Sequence, residues 1–343
     1  MGRSSLLFFC GWCSCLLGTG CTLPLDTTDA GTDAAIAPDA MEGCALFADA
    51  AASLGVGHSV DLPNGATLWT FDAALVDGGR TDGVAARVQI QPGGCPGTLV
   101  AAQVALPPSA TDTDFAVPMD LVRVGAEVWQ FYETWRFAAG APFGVKTIGR
   151  GIARWDGQAG QFTRGPLLWT GDRPAYGASA LVDGAWVYAY GCETANDGWT
   201  RACYAARAPS LQVADINAWQ YATAVGKFTG NPDDAQPILT GVGDVSLRRH
   251  ASGRLLVTYF KPLDCVLQVR SALGPTGPFS APHALGQCLV TSGTFCIGAV
   301  QHPELDGDDA TIAVTFARAS FDPLPAADRW PRLARLPLPV ALP

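Results

Sequence analysis

The segment that decides the fold class is Ala178-Ser179-Ala180-Leu181-Val182-Asp183-Gly184-Ala185-Trp186-Val187-Tyr188-Ala189-Tyr190. Its two halves are rich in the apolar, β-branched and aromatic residues that fit a half-buried pleated strand. Asp-Gly between two such halves favours the tight turn of a β-hairpin. The segment therefore predicts two antiparallel strands joined at Asp183-Gly184.

The same pattern occurs at four other places in the chain. The glycines that follow the first strands stand at 65, 125, 184, 253 and 307. Third strands are predicted at 84–90, 151–155, 202–207 and 266–270, and the first strand of the last unit at 303–305. Repeated antiparallel units of this size indicate an all-β fold, a five-bladed β-propeller of three- to four-stranded antiparallel blades. A two-sheet sandwich is the alternative, but it does not explain the repetition. The proline-rich residues 321–343 are expected to be irregular closing structure.

Composition supports a β protein and excludes one class of partner. Charged residues make up 15% of the 343 residues, while glycine and proline contribute 39 and 25. Few straight-chain charged residues and many turn formers disfavour a helical bundle. The formal charge of −9 argues against a nucleic-acid partner, because such binding needs a basic surface.

The first residues resemble an export signal. Arg3 precedes an apolar run over 6–17, and small residues lead to Cys21. This pattern resembles a bacterial lipobox with Cys21 as the lipidated residue, although Leu17 is one position too far away. Cys13 and Cys15 are competing sites, and an ordinary secretory signal is a further alternative. We expect a signal peptide at 1–20, a disordered tether at 21–41 and the propeller at 42–343. The chain would then be lipid-anchored at the outer membrane or surface of a Gram-negative bacterium, as a monomer.

Seven cysteines remain in the predicted mature domain, which an oxidising compartment would allow to form disulfides. The simplest pairings are Cys192 with Cys203 across a hairpin, and Cys44 with Cys95. Cys265, Cys288 and Cys296 compete for one further bond, for which Cys265–Cys288 is the first choice. Because connectivity cannot be deduced from sequence, these pairings are predictions. No CxxC pair occurs among the seven, which argues against a zinc site.

Three stretches resemble a known family. They are Asp61-Leu62-Pro63-Asn64-Gly65-Ala66-Thr67-Leu68-Trp69-Thr70-Phe71-Asp72, Gly151-Ile152-Ala153-Arg154-Trp155-Asp156 and Gly274-Pro275-Thr276-Gly277-Pro278-Phe279-Ser280. They are similar to an uncharacterised family of secreted bacterial proteins that carry a domain of unknown function. That family looks like the five-bladed propellers of arabinanases and β-xylosidases, and the likeness spans most of 55–320. The chain departs from the family pattern at Asp72, which lacks a preceding glycine and is followed by Ala73 and Ala74.

The resemblance implies a glycosidase-like site, and glycoside hydrolysis needs two carboxyl groups on either side of the bond. In a propeller these groups would come from the ends of inner strands of different blades. The carboxylates considered are Asp72, Asp120, Glu133, Glu193, Asp244 and Glu304. The expected catalytic set combines Asp72 and Asp244 with one of Glu133, Glu193 or Glu304. Each also has a structural interpretation: Glu133 and Glu193 could pair with Arg136 and Arg201 at the surface.

Side chains for holding a sugar are also present. His58, His302 and Arg248 could bind hydroxyl groups or orient a carboxylate, and Trp135 and Trp199 could stack on sugar rings. Most other aromatic residues are expected in the core. We expect no cofactor or metal, since the acidic run 306–309 lacks the spacing of an EF-hand loop. Two functions stay open: a surface-anchored propeller that binds a carbohydrate, with or without hydrolysing it, or a non-catalytic propeller that binds a protein partner.

Overall fold

The structure is a computed structural model. It describes residues 41, 43–45, 53–54, 56–76, 79–88, 99–104, 106, 114–141, 144–195, 200–261, 264–290, 293–320, 331–339 and 342, with the backbone alone at 45, 53–54, 72–76, 79–88 and 99–104. The predicted signal segment, Cys21 and Cys95 lie outside these residues. Within the described part, no helix is both long and apolar enough to cross a bilayer.

Four consecutive stretches of chain each fold into one antiparallel sheet. The first contains β2 (Ser53–Leu54), β3 (Gly57–Asp61), β4 (Thr67–Val76), β5 (Gly79–Val88) and β6 (Leu99–Val104). The second contains β7 (Asp114–Val124), β8 (Glu127–Phe137), β9 (Val145–Asp156) and β10 (Gln161–Thr170). The third contains β11 (Ser179–Asp183), β12 (Trp186–Thr194), β13 (Arg201–Pro209), β14 (Gln220–Ala224), β15 (Lys227–Thr229) and β16 (Leu239–Val242). The fourth contains β17 (Ser246–Arg249), β18 (Leu255–Phe260), β19 (Val266–Ala272) and β20 (His283–Gln287).

A further sheet combines the two ends of the described chain. Its strands are β21 (Thr294–Gln301), β22 (Thr311–Ser320), β23 (Arg332–Pro337) and β1 (Cys44–Ala45), and β1 pairs with β23. The all-β propeller class predicted from the sequence is therefore confirmed. The expectation of five blades is wrong, because four sheets are each formed by one contiguous stretch of chain, whereas this sheet combines the two ends of the described chain.

Apolar clusters lie between neighbouring sheets rather than inside any one of them. One joins the first sheet to the second through Leu68 and Leu121, and another joins the second to the third through Phe131 and Val187. Similar clusters join the third sheet to the fourth and the fourth to the composite sheet. Val56 packs against Val300 and closes the ring. Because each sheet is buried by its two neighbours, the inner strands β3, β7, β11, β17 and β21 meet around one axis.

The predicted hairpins form where the turn chemistry is local. Gly184 and Gly125 have φ values of +58° and +61°, and a Cβ atom at either position would meet open space. The positive φ is therefore the reason for glycine at these two turns.

The last hairpin and the C-terminal segment differ from the prediction. Pro303–Leu305 forms a 3-10 turn rather than a strand, and the inner strand of that sheet is the preceding β21. Proline at the start of the turn has no N–H to donate to a strand ladder, which explains the difference. Within the segment expected to be irregular, β23 lies between β1 and β22.

Two disulfides are formed among the described residues, and one of them was predicted. Cys192–Cys203 joins directly paired residues of β12 and β13. The prediction of Cys265–Cys288 is wrong: Cys288 is bonded to Cys296, and Cys265 is a buried free thiol. Cys44 is disulfide-bonded, and its predicted pairing with Cys95 stays a prediction.

Buried hydroxyl groups connect the inner strands of successive sheets. Ser179 Oγ accepts a hydrogen bond from the backbone N–H of Leu247 at 2.8 Å, and Ser246 Oγ accepts one from Gln301 N at 3.1 Å. Each bond satisfies a backbone donor that would otherwise be buried without a partner. The Asp120 carboxylate satisfies a backbone donor in the same way, because its Oδ2 accepts a hydrogen bond from Ala180 N at 2.6 Å.

We expect Ser179→Ala to lower the free energy of unfolding by about 1–3 kcal/mol, the usual cost of leaving a buried donor unpaired. Urea unfolding followed by tryptophan fluorescence measures the change. Ser210→Ala, in the partly exposed turn after β13, is the control and should shift stability by less than about 0.5 kcal/mol. Equal effects of the two substitutions would contradict the role of Ser179.

Candidate active site at the propeller axis

Polar side chains from four sheets meet where the inner strands pass the axis. His58 and Ser59 lie on β3, Asp120 on β7 and Arg248 on β17. His302 follows the end of β21. These residues come from positions up to 244 apart in the sequence, and only the ring arrangement of the sheets brings them together.

Asp120 is the centre of the first part of this cluster. Its side chain is 1% exposed. The Arg248 guanidinium donates to Asp120 Oδ1 and to the carbonyl oxygen of Ala180. His58 Nδ1 lies 3.1 Å from the same Oδ1. Burial alone would raise the pKa of Asp120, but the charge of Arg248 and the hydrogen bond with His58 outweigh it and hold that pKa below its usual value.

The second part of the cluster joins Ser59, His302 and Glu304. Ser59 Oγ contacts both His302 Nδ1 and Glu304 Oε1. His302 Nδ1 and Glu304 Oε1 lie 3.5 Å apart. His302 Nε2 is 2.7 Å from Thr315 Oγ1, and its ring stacks on Trp69 with centroids 4.5 Å apart. Burial, assisted by the positive charge of Arg248, lowers the pKa of His302.

Glu304 and Asp61 have pKa values shifted in opposite directions. Burial would raise the pKa of Glu304, but hydrogen bonds from His302 and Ser59 lower it below the usual value. Burial and the nearby Glu304 charge raise the pKa of Asp61. Ser59 and Asp61 share one face of β3, because side chains alternate along a strand. This face is directed towards Glu304, and Asp61 is the more exposed of the two carboxyl groups.

Sequence reasoning missed Asp61. The residue was visible as the first of the stretch Asp61–Asp72 that carries the family resemblance, immediately before the turn at Asn64-Gly65. Its proximity to Glu304 depends on the packing of the first sheet against the composite sheet, which the local sequence does not report.

Several predicted site residues lie away from this cluster, at the end of the sheets where the inner strands begin. Asp244 precedes β17, is exposed and pairs with Arg201 Nε at 3.2 Å. Glu193 is exposed and accepts a hydrogen bond from Tyr204 at 2.7 Å. The structure does not bring these two carboxylates to the cluster around Asp120.

Glu133 and Trp135 lie on β8 at this same end. Glu133 accepts from Arg150 Nη2 at 2.6 Å, rather than from the predicted partner Arg136, which instead binds Asp114. Trp135 packs edge-on against Phe115 with centroids 5.8 Å apart. Arg201, considered as a surface partner of Glu193, forms an ion pair with Asp244. Asp72 is described only by its backbone in β4, and Trp199 lies outside the described residues.

Within the acidic run 306–309, Asp308 hydrogen-bonds to its own turn. Asp308 Oδ1 accepts from Ala310 N and Thr311 Oγ1, each at 2.9 Å. Across the described part of the chain, no three His, Cys, Asp or Glu side chains are grouped so that they could hold a metal ion.

The fold is similar to that of several solved proteins. A candidate hydrolase from Bacteroides ovatus aligns with a TM-score of 0.61 at 13% identity, over 87% of this chain and 86% of its own. A family 117 glycoside hydrolase from Zobellia galactanivorans aligns with a TM-score of 0.57 at 11% identity, over 87% of this chain and 90% of its own. A GH43_1 enzyme from Xanthomonas citri aligns with a TM-score of 0.54 at 14% identity, over 88% of this chain and 91% of its own. At these identities the likeness concerns the fold.

Comparison of sequences adds one family. No curated protein matches the chain. The model of the family described as a domain of unknown function, DUF4185, matches residues 149–319. This range includes two of the three stretches that suggested the resemblance, at 151–156 and 274–280, and not the first, at 61–72. The chain therefore has the fold of glycoside-hydrolase-like propellers, and its residues 149–319 match the DUF4185 family.

Proposed function

We propose that this protein binds a carbohydrate at the end of the propeller axis where β3 finishes. The glycosidic bond of the bound sugar lies between the carboxyl groups of Asp61 and Glu304, which catalyse its hydrolysis. The observation that carries the proposal is the placement of these two carboxyl groups: Ser59 and His302 contact Glu304, and Asp61 lies two residues after Ser59 on the same face of β3. The opposite directions of their pKa shifts agree with this placement. An acid and a base kept in different protonation states by their surroundings are what glycoside hydrolysis requires.

Each carboxyl group has a distinct task in this reaction. Asp61, whose raised pKa favours its protonated form, gives its proton to the leaving-group oxygen. Glu304 stays ionised because Ser59 and His302 hold its carboxylate. As a base, it removes a proton from the water that attacks the anomeric carbon. As a nucleophile, it bonds to that carbon itself, and water then releases the sugar while Asp61, now ionised, takes the proton of that water. The separation of the two carboxyl groups in the sugar complex would decide between inversion and retention.

Buried side chains hold His58 and Glu304 in position. Arg248 and Asp120 neutralise each other next to the axis, and His58 extends from this pair with 13% of its side chain exposed. Its ring therefore offers a hydrogen-bonding edge in the channel beside the sugar. His302 has no exposed side-chain surface and holds Glu304 from behind.

The proposal is tested with a glycan array, followed by incubation of the retained glycans with purified protein and detection of released reducing ends. Binding followed by hydrolysis supports it. The absence of both overturns it. Binding without hydrolysis overturns the catalytic part and leaves a carbohydrate-binding protein.

The pKa shifts predict how hydrolysis depends on pH. Asp61 must be protonated, so kcat/KM falls as pH rises through its raised pKa. Glu304 must be ionised, so kcat/KM falls as pH decreases through its lowered pKa. We therefore expect a bell-shaped profile whose maximum lies on the acidic side of neutrality, measured on the best glycan from the array. A profile that rises steadily towards alkaline pH would contradict the assignment of Asp61 as the acid.

We also propose that the protein is exported and held on the cell surface by a lipid on Cys21. Metabolic labelling with an alkyne fatty acid tests this: wild type should be labelled and Cys21→Ala should not. Labelling that persists in Cys21→Ala would point to Cys13 or Cys15.

The alternative is a non-catalytic propeller that binds a protein partner. Its support is the filling of the axis by Asp120, Arg248 and His302, which leaves little of these side chains exposed. The glycan experiment separates the two functions, because this alternative predicts neither glycan binding nor hydrolysis.

A further inference from the structure

The turn between β17 and β18 places an exposed serine over a buried imidazole. His250 directly follows β17, and its side chain is fully buried. Ser252 is exposed on the turn, and its Oγ lies 2.8 Å from His250 Nδ1. A serine hydroxyl within hydrogen-bond distance of a histidine base is the first requirement of an activated nucleophile.

Neighbouring backbone groups decide which nitrogen of His250 carries the proton. The backbone N–H of Ser252 can only donate, and it lies 3.1 Å from Nδ1. The carbonyl oxygen of Thr311 can only accept, and it lies 2.7 Å from Nε2. Nε2 therefore carries the hydrogen in the neutral ring, and the Nδ1 lone pair is directed towards Ser252. This is the tautomer that can remove the serine proton.

Asp306 completes the arrangement behind the imidazole. Its Oδ1 accepts from Ala313 N at 2.8 Å. Its Oδ2 lies 3.2 Å from His250 Nε2. Burial raises the pKa of the Asp306 carboxyl to about 6, so the group is mainly ionised at pH 8. A buried carboxylate oxygen in this position stabilises the ring most strongly when the ring becomes positively charged.

We propose that Ser252, His250 and Asp306 form a second active site that cleaves carboxylic esters. Ser252 Oγ attacks the ester carbonyl while its proton passes to His250 Nδ1. The C–O bond to the alcohol then breaks, and the alcohol leaves with that proton. Water then attacks the carbonyl of the acyl-serine while one of its protons passes to His250 Nδ1. The bond to Ser252 Oγ breaks, the acid leaves, and the proton returns to Ser252 Oγ.

The surroundings of Ser252 indicate a small acyl group. The turn residues Ala251, Ser252 and Gly253 are exposed and carry no large apolar side chain that could hold a long acyl chain. Acetyl esters are therefore the expected substrate class. This site is built from the hairpin turns of the fourth and composite sheets and uses neither Asp61 nor Glu304, so its test is independent of the glycosidase proposal.

The test is covalent labelling of the folded protein with a fluorophosphonate probe at pH 8, followed by peptide mass spectrometry. We expect the phosphonyl group on Ser252, and release of p-nitrophenol from p-nitrophenyl acetate by the same protein. His250→Asn is the key variant, because an asparagine oxygen can still accept the Ser252 N–H and preserve the turn. It removes the base, so labelling and hydrolysis should fall about 100-fold.

Two controls separate the role of the site from general effects. Ser252→Ala should lose the label entirely, whereas Ser280→Ala should keep it, because Ser280 donates to the carbonyl of Ala281 rather than to an imidazole. Circular dichroism checks that each variant is folded. If His250→Asn does not fold, Asp306→Asn is used in its place, because it is a milder change. No label on wild-type Ser252, or equal labelling of wild type and a folded His250→Asn or Asp306→Asn variant, would overturn the proposal.

Discussion

Asp120→Ala is expected to lower the free energy of unfolding by about 3–5 kcal/mol, the cost of removing one partner from a buried ion pair. The substitution leaves the Arg248 guanidinium buried with its charge uncompensated, since its side chain is only 9% exposed. It also removes the acceptor for Ala180 N, which lies 2.6 Å from Asp120 Oδ2. Urea unfolding monitored by tryptophan fluorescence measures the loss.

A matched variant is available at the end of the same channel. Asp183 pairs with Arg249 Nη2 at 2.5 Å, but their side chains are 32% and 43% exposed. Asp183→Ala should therefore cost less than about 1 kcal/mol, as for other solvent-exposed pairs. The double variant Asp120→Leu with Arg248→Met removes both buried charges and should recover much of the stability lost in Asp120→Ala. Similar losses for Asp120→Ala and Asp183→Ala would show that burial of the pair is not what makes it important.

Glu304→Gln is expected to reduce hydrolysis of the best glycan by about 10²–10⁴-fold, the usual contribution of a positioned acid or base group. The amide has almost the shape of the carboxylate and can still accept from Ser59. It cannot act as a base or a nucleophile. Fold and glycan affinity should therefore be retained, and kcat rather than KM should carry the loss. Initial rates and a binding isotherm on the same glycan separate the two parameters.

Glu193→Gln is the matched control for this prediction. Glu193 is a carboxylate at the other end of the channel, exposed and bonded to Tyr204 at 2.7 Å. Its replacement should leave hydrolysis within a factor of two of wild type, a change of about 0.4 kcal/mol in the barrier. If Glu193→Gln loses activity and Glu304→Gln does not, the active site lies where the inner strands begin, and the pair of Asp61 and Glu304 is not catalytic.

The hairpins were predictable because their signals are local. Asp183-Gly184 joins two strands of suitable composition, and its glycine adopts the positive φ that the turn requires. At the last repeat, Asp306-Gly307 suggested the same hairpin, yet the preceding residues form a 3-10 turn. Pro303 removes a backbone donor at that point, so the inner strand ends before it.

The prediction of site residues was limited by their convergence from distant parts of the chain. His58, Arg248, His302 and Glu304 were all considered from sequence, and the structure brings them together around Asp120 and Ser59. Asp244, Glu133 and Glu193 were equally reasonable by residue type. They engage in ion pairs or hydrogen bonds at the other end. Glu133 and Glu193 lie there because the second strand of each sheet returns to that end, and Asp244 lies there because it precedes the inner strand β17.

The amino-acid sequence alone determined that this chain is a turn-rich β protein of repeated hairpins, since turn chemistry and strand patterning act over a few residues. Only the tertiary structure decided that Asp120 is neutralised by Arg248, 128 positions away, and that Glu304 faces Ser59, 245 positions away. The reason is physical: these contacts come from the packing of one sheet against the next. That packing depends on apolar surfaces shared by distant segments, such as Val56 and Val300.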